Sequence, residues 1–346
     1  MDVGLTSEQL TLRDTARDIL RTECPPEVVR QALIDPERWR ALWKTVVDHG
    51  WTELAAPDCD FGPGDLAVVL EECGAALAPI PLLSSVGLAA GLLHACGDVC
   101  QEVLAGIADG VVATLAVHSP GRRLPGAPMT LQRGRLSGRA VAVTNATRAE
   151  LIVTLAATDD GVLAAVVRSG EGVTVQAGES TDPAQPVADV EIDAEPVATA
   201  PVELESALTT PLIAAAADLV GVASGALQRS VEHAKTRQQF GKPIGAFQGI
   251  KHALADNYVS LERARSLTYA AAANPTWTAA AMAKAAAGDA ATTCARTAVQ
   301  VHGALGQTWE HDIHLYVRRA WQSAAMLGDS RALYHRLGRR FAGGAI

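Results

Sequence analysis

The segment TWEHDIH, residues 308–314, concentrates side chains that bind metal ions or transfer protons. It places Glu310, His311, Asp312 and His314 within five positions. Glu310 and His314 are four positions apart and His311 and His314 are three apart, so either pair can share one face of a helix. The spacing is therefore compatible with a metal site, and equally with the acidic start of a helix.

A helix start explains this segment better than a metal site. Zinc sites normally use three or four ligands, and no His/Cys cluster elsewhere in the sequence clearly supplies the others. Carboxylates are favoured at a helix N-terminus by the helix dipole, and Thr308 is available as an N-cap. We therefore predict that residues 308–314 begin a helix and bind no metal.

The composition indicates a globular protein that does not bind nucleic acid. The 346 residues are 49% hydrophobic and 19% charged, and the net charge is -9 with no basic stripe. The six cysteines include no CxxC pair, which predicts reduced thiols. The N-terminus lacks a basic segment followed by an apolar core, so we expect no signal peptide and a cytoplasmic location.

One apolar stretch mimics a membrane span. Residues 73–97 contain no Asp, Glu, Lys or Arg, but Pro79 and Pro81 interrupt the stretch early. Because proline is poorly tolerated inside a helix, the pattern predicts a loop that leads into a buried helix. We expect no membrane partner.

Hydrophobic periodicity divides the chain into three parts. Residues 1–112 read as helical, residues 113–205 as short valine-rich strands separated by turns, and residues 206–346 as helical again. Short loops in the last part predict an antiparallel four-helix bundle. The predicted bundle helices are 209–237, 246–273, 276–302 and 311–342. No glycine-rich phosphate loop follows a strand, which argues against a Rossmann-type fold.

Four sequence strings, in order, resemble the acyl-CoA dehydrogenase family along nearly the whole chain. They are LTSEQLTLRDTARDIL, GDLAVVLEECGAALAPIPLL, TRQQFGKPIGAFQGIKH and AVQVHGALGQTWEHDIHLYVRRA. The third string is the most specific, because it matches the Arg-x-x-Phe-Gly…Phe-Gln signature of that family. The resemblance implies a mainly α fold with an N-terminal helical domain, a small β-barrel-like middle domain and a C-terminal four-helix bundle.

The same resemblance implies an FAD cofactor that is shared between subunits. In the family, residues of a neighbouring subunit complete each flavin site. The implied cofactor-contacting residues are Arg237 at the pyrophosphate, Gln239, Phe240 and Gln248 close by, Gln300 and Gly303 towards the adenosine, and Thr144 near the flavin ring. A guanidinium matches a diphosphate in charge and forked geometry. Arg237 could instead be a solvated charge at a helix end, but the QFGKPIGAFQ that follows favours a phosphate contact.

The resemblance fails at the catalytic base. Acyl-CoA dehydrogenation needs a carboxylate that takes a proton from the carbon next to the thioester. The family usually places this Glu where the present chain has Leu327, and some members place it at the equivalent of Pro211. Asp329 and Asp218 are weak substitutes, since Asp329 is shifted along the chain and Asp218 lies in a helix interior. We therefore predict no catalytic base in this chain.

The predicted strands also lack family features that hold a subunit's own flavin. Thr144 remains, but Ala142 replaces an aromatic residue, and LAVHSPGRRLPGAP lacks the expected loop motif. This asymmetry resembles the base-lacking subunit of actinobacterial α2β2 acyl-CoA dehydrogenases of steroid side-chain catabolism. The implied partners are a Glu-bearing acyl-CoA dehydrogenase subunit, an acyl-CoA substrate and an electron-transfer flavoprotein. The alternatives are a complete homo-oligomeric flavoenzyme that uses another base such as Asp329, and a flavin-free acyl-CoA-binding scaffold.

Overall fold

The computed structural model describes residues 4–343, and in chain order it has a group of helices, one sheet and a second group of helices. The N-terminal helices are α1 (Ser7–Glu23), α2 (Pro26–Ala32), α3 (Trp39–Asp48), α4 (Pro63–Ala76), α5 (Gly91–Leu93) and α6 (Gln101–Ala108). The C-terminal helices are α7 (Leu204–Thr236), α8 (Gln248–Ala273), α9 (Trp277–His302), α10 (Ile313–Ala325) and α11 (Ser330–Ala342). The predicted mainly α fold with a central β region is confirmed.

Eight strands form the sheet, and two more form a separate hairpin. The sheet strands are β1 (Ala113–Ala116), β2 (Met129–Gln132), β3 (Arg135–Thr144), β4 (Leu151–Thr158), β5 (Gly161–Arg168), β6 (Val173–Ala177), β7 (Val187–Ala194) and β8 (Ala198–Pro201). Their order is β6-β7-β3-β2-β4-β5-β8, with β1 also paired to β4. The pairs of β4 with β1 and with β2 are parallel, and the other pairs are antiparallel. The hairpin joins β9 (Gln238–Gln239) to β10 (Lys242–Pro243).

The first helix begins with two reciprocal hydrogen bonds between Thr6 and Gln9. The Thr6 hydroxyl accepts a hydrogen bond from the Gln9 backbone N–H, and the Gln9 side chain accepts one from the Thr6 N–H, both at 3.2 Å. This reciprocal arrangement is a capping box, which satisfies two donors that the helix itself leaves unpaired. Thr6 is therefore the N-cap of α1.

The predicted helix over residues 311–342 is wrong, because a turn divides it into α10 and α11. Leu327 and Gly328 both have positive φ, at 56° and 102°, and such backbone cannot continue a right-handed helix. Asp329 then caps α11, with its carboxylate accepting from the Ala332 N–H at 2.9 Å. The other three long helices lie within a few residues of their predicted bounds.

The apolar stretch at residues 73–97 lies inside the protein. Leu83–Ala90 forms a π-helix in which every residue is buried. By length and hydropathy alone, two helical segments of residues 4–343 would suffice to cross a membrane. They are Leu83–Ala108 and Leu204–Thr236, whose most apolar windows are 72% and 89% buried in the fold. The predicted loop into a buried helix is confirmed.

A single hydrophobic core joins the two helical groups and one face of the sheet. It includes Leu70 of α4, Leu155 of β4 and Leu219 of α7, while a second, smaller cluster covers the other face of the sheet. Because this core is continuous, packing does not isolate three units. The division into domains at residues 1–112, 113–205 and 206–346 stays a prediction.

Helices α4 and α7 touch backbone to backbone within this core. A Cβ added to Gly221 of α7 would lie 1.9 Å from the carbonyl oxygen of Glu71 in α4. A Cβ added to Gly74 of α4 would lie 2.0 Å from the carbonyl oxygen of Asp218 in α7. Only glycine allows this approach, so the two residues fix the distance between the N-terminal and C-terminal helices.

We predict that Gly221→Ala lowers the free energy of unfolding by about 1–3 kcal/mol, because the methyl group forces α7 away from α4. Thermal or urea unfolding measures the change. Gly338→Ala in the exposed part of α11 is the matched control, since its added Cβ meets nothing within 4 Å and alanine favours the helix. Equal stability of the two variants would refute the backbone contact.

Candidate functional site

The implied cofactor residues of two separate strings meet at one end of the helical bundle. Arg237 follows the last residue of α7, and Gly303 follows the last residue of α9. One turn before Arg237, the ring of His233 stacks on the ring of His302 with centroids 4.1 Å apart. This contact holds the two helix ends together, and it brings Gln300 and Gly303 to the same end as Arg237.

The hairpin after Arg237 exposes an aromatic side chain in a strained conformation. Phe240 and Gly241 form its turn with φ of 53° and 75°. Positive φ is unfavourable for a bulky residue such as phenylalanine. The Phe240 side chain is 90% exposed, with one edge-on ring contact to Phe247 at 6.0 Å. A large apolar group held outward in this way is suited to contact a molecule outside the chain.

The polar side chains around the hairpin have free hydrogen-bonding capacity. Arg237, Gln239, Gln248 and Gln300 are exposed, and their side chains make no hydrogen bond to any residue from 4 to 343. Over the same residues, no carboxylate lies within ion-pairing distance of the Arg237 guanidinium. Nothing lies within 4 Å of a Cβ added to Gly303. An unpaired guanidinium, three amides and an open glycine suit the diphosphate and sugar of a dinucleotide.

Thr144 is not part of this exposed group. It ends β3, is 7% exposed, and its carbonyl accepts a hydrogen bond from the Thr114 hydroxyl at 2.5 Å. The nearby Ala142 lies in a β-bulge with φ of 53°, and its N–H donates to the Asp189 carboxylate at 3.2 Å. The contact of Thr144 with a cofactor stays a prediction.

The position expected for the catalytic glutamate is closed by the chain itself. The Leu327 side chain belongs to the hydrophobic core and is 2% exposed. The Leu327 N–H donates to Nε2 of His118, in the loop after β1, at 3.2 Å. Burial lowers the pKa of His118, with a smaller contribution from Lys284, which keeps the imidazole neutral and able to accept this bond.

Two further contacts bring the loop after β1 onto the same turn. Arg123 forms an ion pair with Asp329 at 2.7 Å. The side chain of Leu124 fills the space beside Gly328, where an added Cβ would lie 2.8 Å from it. Asp329 also caps α11, so its carboxylate is engaged by both a cation and a backbone N–H. The Asp329 carboxylate therefore serves structural contacts within the turn.

Lys284 binds the turn that contains Leu327 and Gly328 through side-chain hydrogen bonds. Its side chain is fully buried in α9 and donates to the carbonyl oxygens of Ala324 and Gly328, at 3.1 and 3.4 Å. Burial lowers the pKa of Lys284 to about 7. The sequence marks this residue as a lone lysine within AAAMAKAAAGDAA, and neither Lys284 nor His118 was identified from sequence.

The other two positions considered for a base lie inside the fold. Asp218 is 3% exposed, and burial raises its pKa to about 6, against the effect of Arg319. Arg319 donates to the Asp182 carboxylate at 2.5 Å, so its guanidinium already has a partner. Pro211 is buried in α7 and offers no ionisable group. Asp218 is therefore enclosed by the fold and does not face an open site.

The segment 308–314 has a structural role in this fold. Asp312 forms ion pairs with Arg30 at 2.9 Å and with Arg229 at 3.3 Å, linking α2 and α7 to the start of α10. Within residues 4–343, no group of three or more His, Cys, Asp or Glu side chains is arranged to hold a metal ion. Asp312 contributes here through its ion pairs.

The predicted N-cap at Thr308 is wrong. α10 begins at Ile313, and Asp312 occupies the cap position without a side-chain cap bond. The Thr308 hydroxyl instead donates to the Leu305 carbonyl at 3.0 Å, within the turn that follows α9. His311 packs on His302 with ring centroids 4.8 Å apart, and His314 stacks on Trp309 at 5.3 Å. These ring contacts connect the turn to the end of α9 and to the first turn of α10.

Comparison with known proteins agrees with the fold. Residues 6–110 and 205–341 match the models for the acyl-CoA dehydrogenase N-terminal and C-terminal domains. The acyl-CoA dehydrogenase IpdE2 of Mycolicibacterium smegmatis is 34% identical, over 96% of this chain and 98% of that protein. A chain of the ChsE4-ChsE5 complex from Mycobacterium tuberculosis superposes with a TM-score of 0.90 at 29% identity, covering 99% of both chains. A variant of the Tcur3481-Tcur3483 steroid ACAD also gives 0.90 at 29% identity, covering 98% of both. The chain therefore belongs to the acyl-CoA dehydrogenase family.

Proposed function

We propose that this chain is the base-lacking subunit of a heteromeric, FAD-dependent acyl-CoA dehydrogenase. The observation that carries the proposal is a contrast between two surfaces. At Leu327 the turn is sealed by His118, Leu124 and Arg123, whereas the surface around Arg237 is open and unpaired. The position of the chain's own base is closed, whereas the surface for a neighbour's flavin is open. This combination suits a subunit that completes the active site of its partner.

The residues of this chain have binding roles in the proposed complex. Arg237 would hold the flavin diphosphate, with Gln239, Phe240 and Gln248 beside it, and Gln300 and Gly303 would approach the adenosine. When bound, the flavin supplies the acceptor for the hydride that leaves the substrate. The proton is taken by a glutamate of the partner subunit, since Leu327 and Pro211 cannot take it.

The relatives support the partner and the substrate class of the proposal. Two similar solved structures are named as pairs, ChsE4-ChsE5 and Tcur3481-Tcur3483, and the second is named a steroid ACAD. We infer a CoA thioester of a steroid side chain as substrate, and an electron-transfer flavoprotein as the electron acceptor. A cytoplasmic location belongs to the same proposal.

We predict that the chain purifies with little flavin alone and with bound flavin when co-expressed with its Glu-bearing partner. Arg237→Ala should weaken flavin binding by the complex about ten- to hundredfold, because a charge-assisted contact to phosphate is lost. Flavin absorbance per complex and flavin titration of the apo-complex measure this effect.

Arg168→Ala, at the exposed end of β5, is the matched control and should leave flavin content unchanged. A yellow, active enzyme from the lone chain would refute the heteromer and favour the homo-oligomeric flavoenzyme. A complex that stays colourless would favour the acyl-CoA-binding scaffold. Full flavin occupancy in Arg237→Ala would contradict the shared site.

We predict that Asp329→Asn and Asp218→Asn leave the turnover of the complex within about twofold, because proton abstraction belongs to the partner's glutamate. Asparagine caps a helix nearly as well as aspartate, so Asp329→Asn should keep α11 intact. Steady-state turnover with an artificial electron acceptor is the measurement. A drop of about a hundredfold or more in either variant would identify that aspartate as the base.

A further inference from the structure

Three histidines from three segments form a continuous stack at the open end of the bundle. His233 of α7 and His302 of α9 stack with centroids 4.1 Å apart and planes 28° apart. His302 also contacts His311, in the turn before α10, at 4.8 Å and 60°. Nδ1 of His302 lies 2.8 Å from the carbonyl oxygen of Ala298, which fixes the ring of the central histidine. None of the proposed cofactor contacts uses these rings.

The stack lies directly behind the proposed flavin-contacting surface. His233 precedes Arg237 by one helical turn, and His302 is next to Gly303. Helices α7 and α9 pack along each other, and this ring contact joins them at the end that carries Arg237 and Gly303. A change in the distance between the two rings would therefore move Arg237 relative to Gln300 and Gly303.

We infer that the His233–His302–His311 stack positions Arg237 against Gln300 and Gly303, and that flavin binding by the complex requires the rings of His233 and His302 to be neutral. This inference rests on the proposed function, since it assumes that Arg237 contacts the flavin. The three histidines are positioning residues, because they act through Arg237 and Gly303 rather than on the flavin.

The charges that face the stack disfavour its protonation. On α7 it faces the cations Arg229 and Arg237, and each lowers the pKa of a stacked histidine. Two carboxylates flank His311 in the sequence, and that of Asp312 is already paired with Arg30 of α2 and with Arg229. The remaining ionisable neighbours along α7, the turn and α10 are Glu232, Lys235, Glu310, His314 and Tyr316. Protonation of His233 and His302 is therefore opposed by two arginines and by repulsion between the charged rings.

The direction of the pH effect follows from these surroundings. Burial lowers the pKa of His302 to about 4 and also lowers the pKa of His233. Free histidine protonates near pH 6.5, so the neutral stack contributes fully above that value. Its contribution is lost as the pH falls from about 6.5 towards 4, because protonation then favours separated rings.

The test measures flavin release from the co-expressed complex between about pH 8 and pH 4.5. His302→Ala removes the central ring and should weaken flavin binding at pH 8 by roughly three- to tenfold, the contribution of one aromatic contact. His302→Phe keeps a ring that cannot titrate. It should bind flavin more tightly than His302→Ala at pH 8 and release less flavin than the unsubstituted complex below about pH 6.

His49→Ala is the matched control, because the His49 ring contacts the carbonyl four residues before it, as His302 does, but at the end of α3. It should change neither affinity nor pH profile, and size-exclusion chromatography at each pH should report an intact complex for every variant. If Arg237→Ala loses flavin but His302→Ala and His302→Phe keep the unsubstituted affinity and pH profile, the stack has no positioning role. If Arg237→Ala itself keeps its flavin, the proposed function fails instead.

Discussion

The close contact between α4 and α7 is the constraint on which the rest of the structure depends. Gly74 and Gly221 let the two backbones touch, so the N-terminal helices and the C-terminal bundle share one core. That contact buries Asp218 beside Arg319, whose guanidinium is paired with Asp182. The buried pair of Arg319 and Asp182 ties α10 to the loop between β6 and β7, because a buried charge is costly to leave unpaired.

Two surfaces matter for the proposed function: the turn at Leu327 and the exposed ends of α7 and α9. The first surface is the turn at Leu327, which is held by hydrogen bonds from Lys284 and by a hydrogen bond to His118 in the loop after β1. At the second surface, the ends of α7 and α9 project Arg237 and Gly303 outward with no partner side chain for Arg237 among residues 4–343. The first surface is filled by the chain itself. The second needs a ligand or a partner to complete it.

Much of the architecture could be predicted from sequence, because long apolar periodicity defines long helices. The same rule failed over residues 311–342, where Leu327 continues the apolar pattern although its φ of 56° ends the helix. The β9–β10 hairpin was missed because strands of two residues have no periodicity. Thr308 was assigned as a cap because its type and position fit, but its hydroxyl bonds within the turn after α9, and α10 begins at Ile313.

The candidate site was predictable only in part, because contacts between distant segments of the chain leave no pattern in the sequence. Arg237 and Gly303 were identified by string resemblance, whereas the contact that joins them, between His233 and His302, spans about seventy residues of sequence and has no spacing signal. His118 and Lys284 were missed because their roles arise from burial against the Leu327 turn. Tertiary contacts of this kind become visible only once the helices are packed.

The central claim is that this chain completes a flavin site that belongs to its partner. A structure of the flavin-loaded complex, determined by cryo-electron microscopy, tests it most directly. The account predicts that the Arg237 guanidinium lies within hydrogen-bonding distance of the diphosphate of a flavin whose ring is held by the partner subunit. A flavin ring lodged between this chain's own Leu327 turn and the loop containing His118 would contradict the account.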